Sequence, residues 1–284
     1  MHWHTTRFRI DLQRPRIMGI VNVTPDSFSD GGRHGQARSA LAHCERLIGD
    51  GADILDIGGE STRPGSQPVP LKEELARVLP VVREAVTLGV PVSVDTFKPQ
   101  VMRAVLDLGA DIVNDIWALR LDGAKDVVAD HGSCGVCLMH MHREPLSMQA
   151  SPMEGDPVAP VHVFLAEQVE ALKVRGVSPR RIVLDPGIGF GKTVAQNFGL
   201  LGRQVAAVPS GYPILSGWSR KSSLGAVTGR AVAHRMVPSV VAAVLAVDRG
   251  ARIVRVHDVA DTVAALAVWQ AMQDASTEQR GDFA

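Results

Sequence analysis

The sequence is poor in aromatic residues and carries no excess of charge of either sign. Aromatic residues make up 4% of the 284 residues, and 30 lysine and arginine residues balance 30 aspartate and glutamate residues. A protein that binds nucleic acids or membrane surfaces through general electrostatics needs a basic excess. The composition therefore predicts no nucleic-acid or membrane partner, and the 45% of hydrophobic residues indicates a globular protein with an aliphatic core.

Long hydrophobic runs are missing as well. No stretch approaches the roughly 18 consecutive apolar residues that a transmembrane helix needs. Residues 1–11 also lack the apolar region of a secretory signal peptide. Both features predict a cytoplasmic protein.

Cysteine is scarce, with only Cys44, Cys134 and Cys137. The last two form a C-x-x-C pair, which could be a redox site. Cys137 lies within an apolar run, however, and no helix begins after it to lower the pKa of a thiol. We therefore expect reduced thiols in or beside a strand, and Cys44 is too distant in the sequence to suggest a zinc site.

Familiar catalytic and nucleotide motifs are also missing. The sequence has no Ser-His-Asp order and no H-E-x-x-H motif. Gly191-Lys192-Thr193 is like the end of a P-loop, but the position of the first P-loop glycine is taken by Pro186. Proline has no N–H group to donate to a phosphate. The P-loop interpretation therefore fails, and Lys192 is assigned no role.

What the chain does contain is a repeated alternation of two patterns. Apolar runs of strand type recur eight times, at residues 17–21, 54–57, 90–94, 112–113, 135–139, 182–184, 214–215 and 253–256. Helical periodicity is clearest between them at residues 38–50, 71–88, 99–108, 158–175, 237–249 and 258–272.

Eight such units without a linker predict a single (β/α)8 TIM barrel. We place it at residues 16–274, with an N-terminal extension at 1–15 and a C-terminal tail at 275–284. An open doubly wound sheet is the alternative fold. It is less favoured because no G-x-G-x-x-G follows the first strand.

Polar residues gather at one end of the predicted barrel. Every apolar run leads into polar, charged or glycine-rich residues, whereas the connections from helix to strand are short and mostly glycine. Active sites of TIM barrels lie at the carboxyl ends of the strands. The asymmetry therefore predicts the active site at this end.

The polar residues at these ends fall into two chemical sets. Asp95, Asn114, Asp185 and Lys221 suit a heterocycle with amino and carbonyl edges. The second set suits a phosphate or pyrophosphate, because arginine binds such groups bidentately. Its members are Asn22, Ser61, Thr62, Arg63, Arg255 and His257, and Asn22 could also give an oxygen to Mg²⁺. The pattern predicts a phosphorylated heterocycle as substrate.

The first two loops at this end, residues 22–35 and 58–70, are unusually long for a barrel. Both are rich in glycine, proline, serine and aspartate. They are interpreted as lids that close over the substrate and exclude water. Solvated surface loops without a role are the alternative.

Other residues also permit a second interpretation. Asp95 could instead cap the helix that follows it. Asn114 and Asp115 cannot both face the barrel interior, because successive side chains of a strand alternate; we favour Asn114 inside and Asp115 as a cap or supporting residue. His140 and His142 could bind a metal, but no third ligand accompanies them.

Eight motifs follow one another along the chain. The two longest are residues 18–32 (MGIVNVTPDSFSDGG) and 56–65 (DIGGESTRPG). The remaining motifs are VDT at 94–96, VND at 113–115, LMHM at 138–141, DPGIGFGKT at 185–193, SRKS at 219–222 and RVHDV at 255–259. In this order they resemble the motifs of the dihydropteroate synthase family, and the two longest look like its two signature segments. The resemblance covers roughly residues 16–272.

This resemblance implies a pterin-binding TIM barrel that condenses 6-hydroxymethyl-7,8-dihydropterin pyrophosphate with p-aminobenzoate. The products would be 7,8-dihydropteroate and pyrophosphate, in folate biosynthesis. The resemblance also implies Mg²⁺ as cofactor, a homodimer and a p-aminobenzoate pocket that sulfonamides enter.

The resemblance also assigns residues to each group. For the pterin ring they are Asp95, Asn114, Met139, Asp185, Phe190 and Lys221. For pyrophosphate they are Asn22, Ser61, Thr62, Arg63, Arg255 and His257, with Asn22 also holding Mg²⁺. For p-aminobenzoate they are Phe28, Thr62, Pro64, Phe190, Lys221 and Ser222.

The implied mechanism is an early departure of pyrophosphate, followed by attack of the aromatic amine on a pterin-stabilised cation. Arg63, Arg255 and His257, with Mg²⁺, would stabilise the departing group. Asp95 and Asp185 would stabilise the cation through the ring N–H groups. The residues assigned to catalysis are Asp95, Asp185, Lys221, Arg255 and His257.

Two positions depart from the family pattern. Ser223 stands where the family has a bulky apolar residue, and residues 235–239 read RMVPS in place of Arg-Leu-x-Gly-Ser. The second departure touches the helix that the family uses for dimerisation. Two other functions stay open: the pterin-binding module of a corrinoid-dependent methyltransferase, and a non-catalytic paralogue that binds pterin.

Overall fold

The computed structural model describes residues 1–23, 32–61, 66–143, 148 and 151–281. Eight parallel strands close into a barrel, in which the last strand pairs with the first. They are β3 (Arg16–Asn22), β4 (Ile54–Gly58), β5 (Val92–Asp95), β6 (Ile112–Asp115), β7 (Gly135–Met139), β8 (Ile182–Asp185), β9 (Ile214–Ser216) and β10 (Ala251–Val256). The predicted TIM barrel and its eight strands are confirmed.

Helices surround the barrel. They are α1 (Gly32–Gly49), α2 (Leu71–Ala85), α3 (Pro99–Asp107), α4 (Ala124–His131), α5 (Val158–Val174), α6 (Val194–Ala207), α7 (Ser222–Thr228), α8 (Met236–Asp248) and α9 (Val259–Gly281). The six helices that periodicity predicted are all present. The periodic pattern did not single out α4 and α7, which are short, or α6.

Helix α6 carried a signal that could have been used. Thr193 precedes it and accepts a hydrogen bond from the backbone N–H of Gln196, while the Gln196 side chain accepts one from the backbone N–H of Thr193. This reciprocal pair is a capping box, which marks a helix start in the sequence itself. Glycines at 199 and 202 weaken the periodic pattern that follows.

Both ends of the chain contain more structure than expected. Residues 1–15 include a hairpin of β1 (His2–His4) and β2 (Arg9–Asp11), which plugs the amino-terminal end of the barrel. Trp3 is fully buried there, and its Nε1 donates to the carbonyl of Arg181 at 2.8 Å. At the other end α9 runs to Gly281, although we expected the chain to fray after residue 274.

The core is aliphatic and lies between barrel and helices, as the composition indicated. Cys44, Cys134 and Cys137 are free and buried, which confirms the prediction of reduced thiols. Burial raises the pKa of the Cys44 thiol to about 12, so this group is held in its unreactive protonated form. Across the described part of the chain no helix has the length and apolarity needed to cross a membrane.

Candidate active site

A cavity of about 280 Å³ opens at the carboxyl ends of the barrel strands. All the predicted site residues that the structure describes line it: Asn22, Ser61, Asp95, Asn114, Met139, Asp185, Phe190, Lys221, Ser222, Arg255 and His257. Phe28, Thr62, Arg63 and Pro64 lie outside the described residues, as do residues 24–31 of the first predicted lid and residues 62–65 of the second. The convergence follows from parallel strands, whose carboxyl ends share one rim.

The floor of the cavity is a network of two carboxylates around Arg255. This side chain on β10 places its Nε 2.6 Å from Asp56 Oδ2 and its Nη2 2.9 Å from Asp95 Oδ2. Asn114 Nδ2 also donates to Asp56 Oδ2, at 3.2 Å. Sequence reasoning missed Asp56, which sits inside an apolar strand, and placed Arg255 with the phosphate set alone.

The network shifts the pKa values of both Asp95 and Arg255. Burial raises the pKa of Asp95 to about 7; Arg255 opposes this shift, and Asp56 adds to it. The pKa of Arg255 lies above its ordinary value, because attraction to Asp56 and Asp95 outweighs the effect of burial. Arg255 is therefore a permanent cation, whereas Asp95 gains or loses a proton near neutral pH.

The alternative role of Asp95 as a helix cap is wrong. Helix α3 begins after Lys98, which is its N-cap residue. On the next strand, β6, we favoured Asn114 as the residue that faces the site, and Asn114 does line the cavity. The Asp115 carboxylate instead accepts from the backbone N–H groups of Trp117 and Leu119, at 2.7 and 2.8 Å. Asp115 therefore supports the turn beneath the site.

Asp185 lies at the end of β8 and begins a glycine-rich loop. Its Oδ1 accepts from the backbone N–H of Gly187 at 2.7 Å, and burial raises its pKa. Gly187 has a φ of +73°, and a Cβ there would lie 1.8 Å from the carbonyl oxygen of His140. Only glycine fits this position, so the loop can approach the end of β7 closely.

Lys221 and Phe190 form one wall of the cavity. Lys221 Nζ lies 4.2 Å from the centroid of the Phe190 ring, a cation–π contact. Burial lowers the pKa of Lys221 to about 8, with Arg255 adding to the effect and Asp185 opposing it. Phe190 also packs into an apolar cluster with Met139. The wall therefore joins a flat apolar surface to a cation whose charge is sensitive to pH.

Ser219 and His257 form a pair that the sequence did not reveal. Ser219 Oγ lies 2.9 Å from His257 Nδ1 and accepts from the backbone N–H of His257 at 3.1 Å. Next to it, Arg220 pairs with Asp258 at 2.6 Å. These contacts tie the start of the β9–α7 connection to the end of β10. They orient His257 beside the cavity.

The departure at Ser223 has a structural counterpart. Ser223 is buried, and its Oγ accepts from Asn197 Nδ2 at 2.9 Å. The Oδ1 of the same Asn197 accepts from the backbone N–H of Gly189 at 2.8 Å. In this chain a polar relay through α6 thus connects the glycine-rich loop to the start of α7. A bulky apolar residue at 223 could not accept that hydrogen bond.

The possible metal ligands around the cavity suit Mg²⁺ better than a metal ion that is bound by several protein side chains. Among the described residues no group of three or more His, Cys, Asp or Glu side chains could hold a metal. Asn22 lines the cavity at the end of β3 and offers a single oxygen. Mg²⁺ takes few protein ligands and completes its shell with phosphate and water. The residues present therefore fit Mg²⁺ brought with a diphosphate.

The metal interpretation of His140 and His142 gains no support. His140 Nδ1 lies 2.9 Å from the ammonium of Lys192, and its ring packs edge-on against Phe164. Burial and the Lys192 charge lower the pKa of His140 to about 2. Its imidazole is therefore neutral and accepts from Lys192.

Comparisons with known proteins agree with this geometry. Residues 18–257 match the pterin binding enzyme family. Dihydropteroate synthase of Neisseria meningitidis serogroup B is 49% identical over 276 residues, which cover 95% of this chain and 97% of that protein.

Solved structures give the same picture. Burkholderia cenocepacia dihydropteroate synthase complexed with 7,8-dihydropteroate superposes with a TM-score of 0.89, at 49% identity and 98% coverage of both chains. The Yersinia pestis enzyme in a sulfonamide drug complex gives 0.91, at 42% identity, covering 96% of this chain and 100% of that one. The chain therefore belongs to the dihydropteroate synthases of the pterin-binding enzyme family.

Proposed function

We propose that this protein is a dihydropteroate synthase, joining 6-hydroxymethyl-7,8-dihydropterin pyrophosphate to p-aminobenzoate. The observation that carries the proposal is the convergence of Asp95, Asn114, Asp185, Lys221 and Arg255 on one cavity. These side chains offer carboxylate, amide and cationic groups to a single flat heterocycle. Relatives with the same activity match nearly the whole chain.

The pterin binds at the floor of the cavity. Asp95 and Asp185 accept hydrogen bonds from the ring N–H groups, and Asn114 reads an adjacent edge. Arg255 holds Asp95 from one side, so this carboxylate is oriented before the substrate arrives. Such preorganisation lowers the cost of binding, because fewer side chains have to be ordered by the ligand.

The diphosphate lies towards β3, β4 and β10. Asn22, Ser61, Arg255 and His257 line the cavity and lie on or shortly after these three strands. Arg63 is assigned here by the family motif and lies outside the described residues. Asn22 would hold Mg²⁺, which supplies charge neutralisation to a bound diphosphate.

The reaction breaks the bond between the pterin methylene carbon and the ester oxygen that joins it to the first phosphorus of pyrophosphate. Arg255 and His257 stabilise the negative charge that gathers on the departing oxygens. Asp95 and Asp185 stabilise the positive charge left on the pterin through its N–H groups. The amine of p-aminobenzoate then forms the new C–N bond and releases a proton, so the site needs no covalent nucleophile.

The p-aminobenzoate lies against the wall formed by Phe190, Lys221 and Ser222. The ring of Phe190 gives an apolar surface, and the ammonium of Lys221 can attract the carboxylate. Phe28, Thr62 and Pro64 are assigned to the same pocket and lie outside the described residues. This pocket is also the proposed sulfonamide site.

The proposal includes a homodimer formed through α8 and α9. Exposed apolar residues lie on one face of α8 at Val237, Val241 and Leu245, and on α9 at Val268 and Met272. Trp269 Nε1 donates to Asp248 at 3.3 Å, which holds the two helices side by side. Exposed apolar residues on two neighbouring helices support a protein partner.

The unusual Pro238 does not disturb this face. It is the third residue of α8, where a proline is tolerated because the first backbone N–H groups have no partner within the helix.

A cytoplasmic location stays a prediction.

One assay tests the function. Purified protein is mixed with pterin pyrophosphate, p-aminobenzoate and Mg²⁺, and pyrophosphate release is followed. We expect release that requires all three additions. A folded protein that binds pterin without turnover would indicate a non-catalytic paralogue, whereas methyl transfer from a methylated folate to a corrinoid would indicate a methyltransferase module.

A further inference from the structure

Lys192 lies at the end of the glycine-rich loop and points into the protein. This residue is only 3% exposed, whereas most lysines in proteins lie on the surface. Its Nζ lies 2.8 Å from the carbonyl oxygen of Gly187 and 3.1 Å from that of Phe190. It also lies 2.9 Å from His140 Nδ1, at the end of β7. The three short contacts match the three hydrogens of an ammonium group.

The two carbonyl groups belong to the residues that shape the site. The backbone N–H of Gly187 holds the carboxylate of Asp185 at 2.7 Å. The ring of Phe190 faces the ammonium of Lys221. Lys192 therefore holds the carbonyl groups of two residues: Gly187, whose N–H orients Asp185, and Phe190, which forms the cavity wall.

The loop has a particular need for such an anchor. Gly187, Gly189 and Gly191 all have positive φ values, a conformation that glycine adopts easily but does not maintain alone. Burial lowers the pKa of Lys192 to about 7. The contacts of its Nζ with two loop carbonyl groups and His140 offset part of the cost of burying the ammonium, and they hold the loop in place.

We propose that Lys192 is a positioning residue of the pterin subsite. Its ammonium ties the loop of residues 185–192 to His140, so that Asp185 and Phe190 face the substrate. This inference rests on the proposed function only in naming the ligand as a pterin. A merely structural lysine would contribute to stability and leave the affinity of the folded protein unchanged.

The test compares Lys192→Met with Lys173→Met, an exposed lysine paired with Glu170 on α5. Thermal unfolding locates a temperature at which each variant is folded. At that temperature, calorimetry measures the affinity for 6-hydroxymethyl-7,8-dihydropterin pyrophosphate, and steady-state kinetics separate kcat from KM. We expect Lys192→Met to bind the pterin at least about tenfold more weakly, and Lys173→Met to match the wild type.

A second variant decides the question if Lys192→Met fails to fold. His140→Phe removes the Nδ1 acceptor and keeps an aromatic ring against Phe164, whose centroid lies 5.0 Å away. Its pterin affinity should fall by roughly threefold or more. Pterin affinity within about twofold of wild type in folded Lys192→Met, or in His140→Phe if the first variant is unfolded, would overturn the proposal. Pterin binding by wild type without turnover would refute the synthase function and leave this test valid.

Discussion

Arg255 and Asp56 form an ion pair that reaches over the first barrel strand. Arg255 lies on β10 and Asp56 on β4, and β3 runs between these two strands. The Nε to Oδ2 distance is 2.6 Å, and the Asp56 side chain is fully buried. Because Asp56 also accepts from Asn114, one carboxylate orients two of the groups that we assign to substrate.

The first prediction concerns this carboxylate. Asp56→Asn keeps the shape of the side chain but removes its charge, so Arg255 loses its ionic partner and Asn114 loses a charged acceptor. We expect kcat/KM for pterin pyrophosphate to fall roughly 10- to 100-fold, the effect of about 1.5–3 kcal/mol for a charged hydrogen bond. Asp130→Asn, at an exposed position on α4, is the matched control. Unchanged kinetics in folded Asp56→Asn would contradict this role.

The second prediction concerns pH. Asp95 in the folded protein has a pKa of about 7, raised by burial from 3.8, so it binds a proton as the pH falls below neutrality. The protonated group is a poorer acceptor for the pterin N–H groups. Pterin affinity should therefore fall by up to about tenfold for each pH unit below 7. Calorimetry across this range checks the slope, and Asp95→Asn should remove the loss of affinity below pH 7.

The same titration has an opposite effect on stability. Because the pKa is higher in the folded state, the Asp95 contribution to the free energy of unfolding is fully present below about pH 4 and is lost as the pH rises through about 7. Denaturant unfolding of wild type and Asp95→Asn should therefore show a difference that grows with pH in favour of the variant. A difference independent of pH would show that the Asp95 pKa is not raised.

The third prediction compares two glycines with positive φ. A Cβ at Gly187 would meet the His140 carbonyl oxygen at 1.8 Å, whereas a Cβ at Gly132 would meet no atom within 4 Å. Gly132→Ala should cost only backbone strain of about 1 kcal/mol. Gly187→Ala must also displace the loop, so pterin binding should be lost. Thermal unfolding and calorimetry on both variants test this, and equal behaviour of the two would be the contrary result.

The fourth prediction concerns the apolar face of α8 and α9. Val241→Glu places a charge at the centre of that face and should convert a dimer into a monomer. Val174→Glu, at the end of α5, is the control, because Val174 is even more exposed, at 85% against 53% for Val241. Sedimentation velocity on the wild type should give twice the chain mass. A monomeric wild type would refute the dimer.

The barrel could be predicted from the sequence because each strand is a short apolar run followed by a polar residue. That regularity also placed the side chains at strand ends, such as Asp95 and Asp185, around one cavity. The role of Asp56 could not be predicted in the same way, because Asp56 lies inside a strand. There the alternation of side chains decides whether a carboxylate faces the site. A single apolar run does not reveal that direction.

Residues that act through the backbone were harder to foresee. Asn197 lies on α6, whose glycines weaken the helical periodicity of the sequence. It contacts the glycine-rich loop by accepting from the backbone N–H of Gly189. Lys192 follows a glycine in a motif typical of nucleotide binding, yet it turns inward onto carbonyl groups. Such contacts depend on the folded path of the loop, because backbone donors and acceptors are the same in every sequence.

The most direct measurement is the formation of 7,8-dihydropteroate, detected by mass spectrometry, from pterin pyrophosphate and p-aminobenzoate in the presence of Mg²⁺. Wild type and Asp185→Asn are compared at equal concentrations of folded protein. We expect product and pyrophosphate in equal amounts from the wild type, and almost no product or pterin binding from the variant. No product from folded wild type, or equal product from Asp185→Asn, would contradict the account.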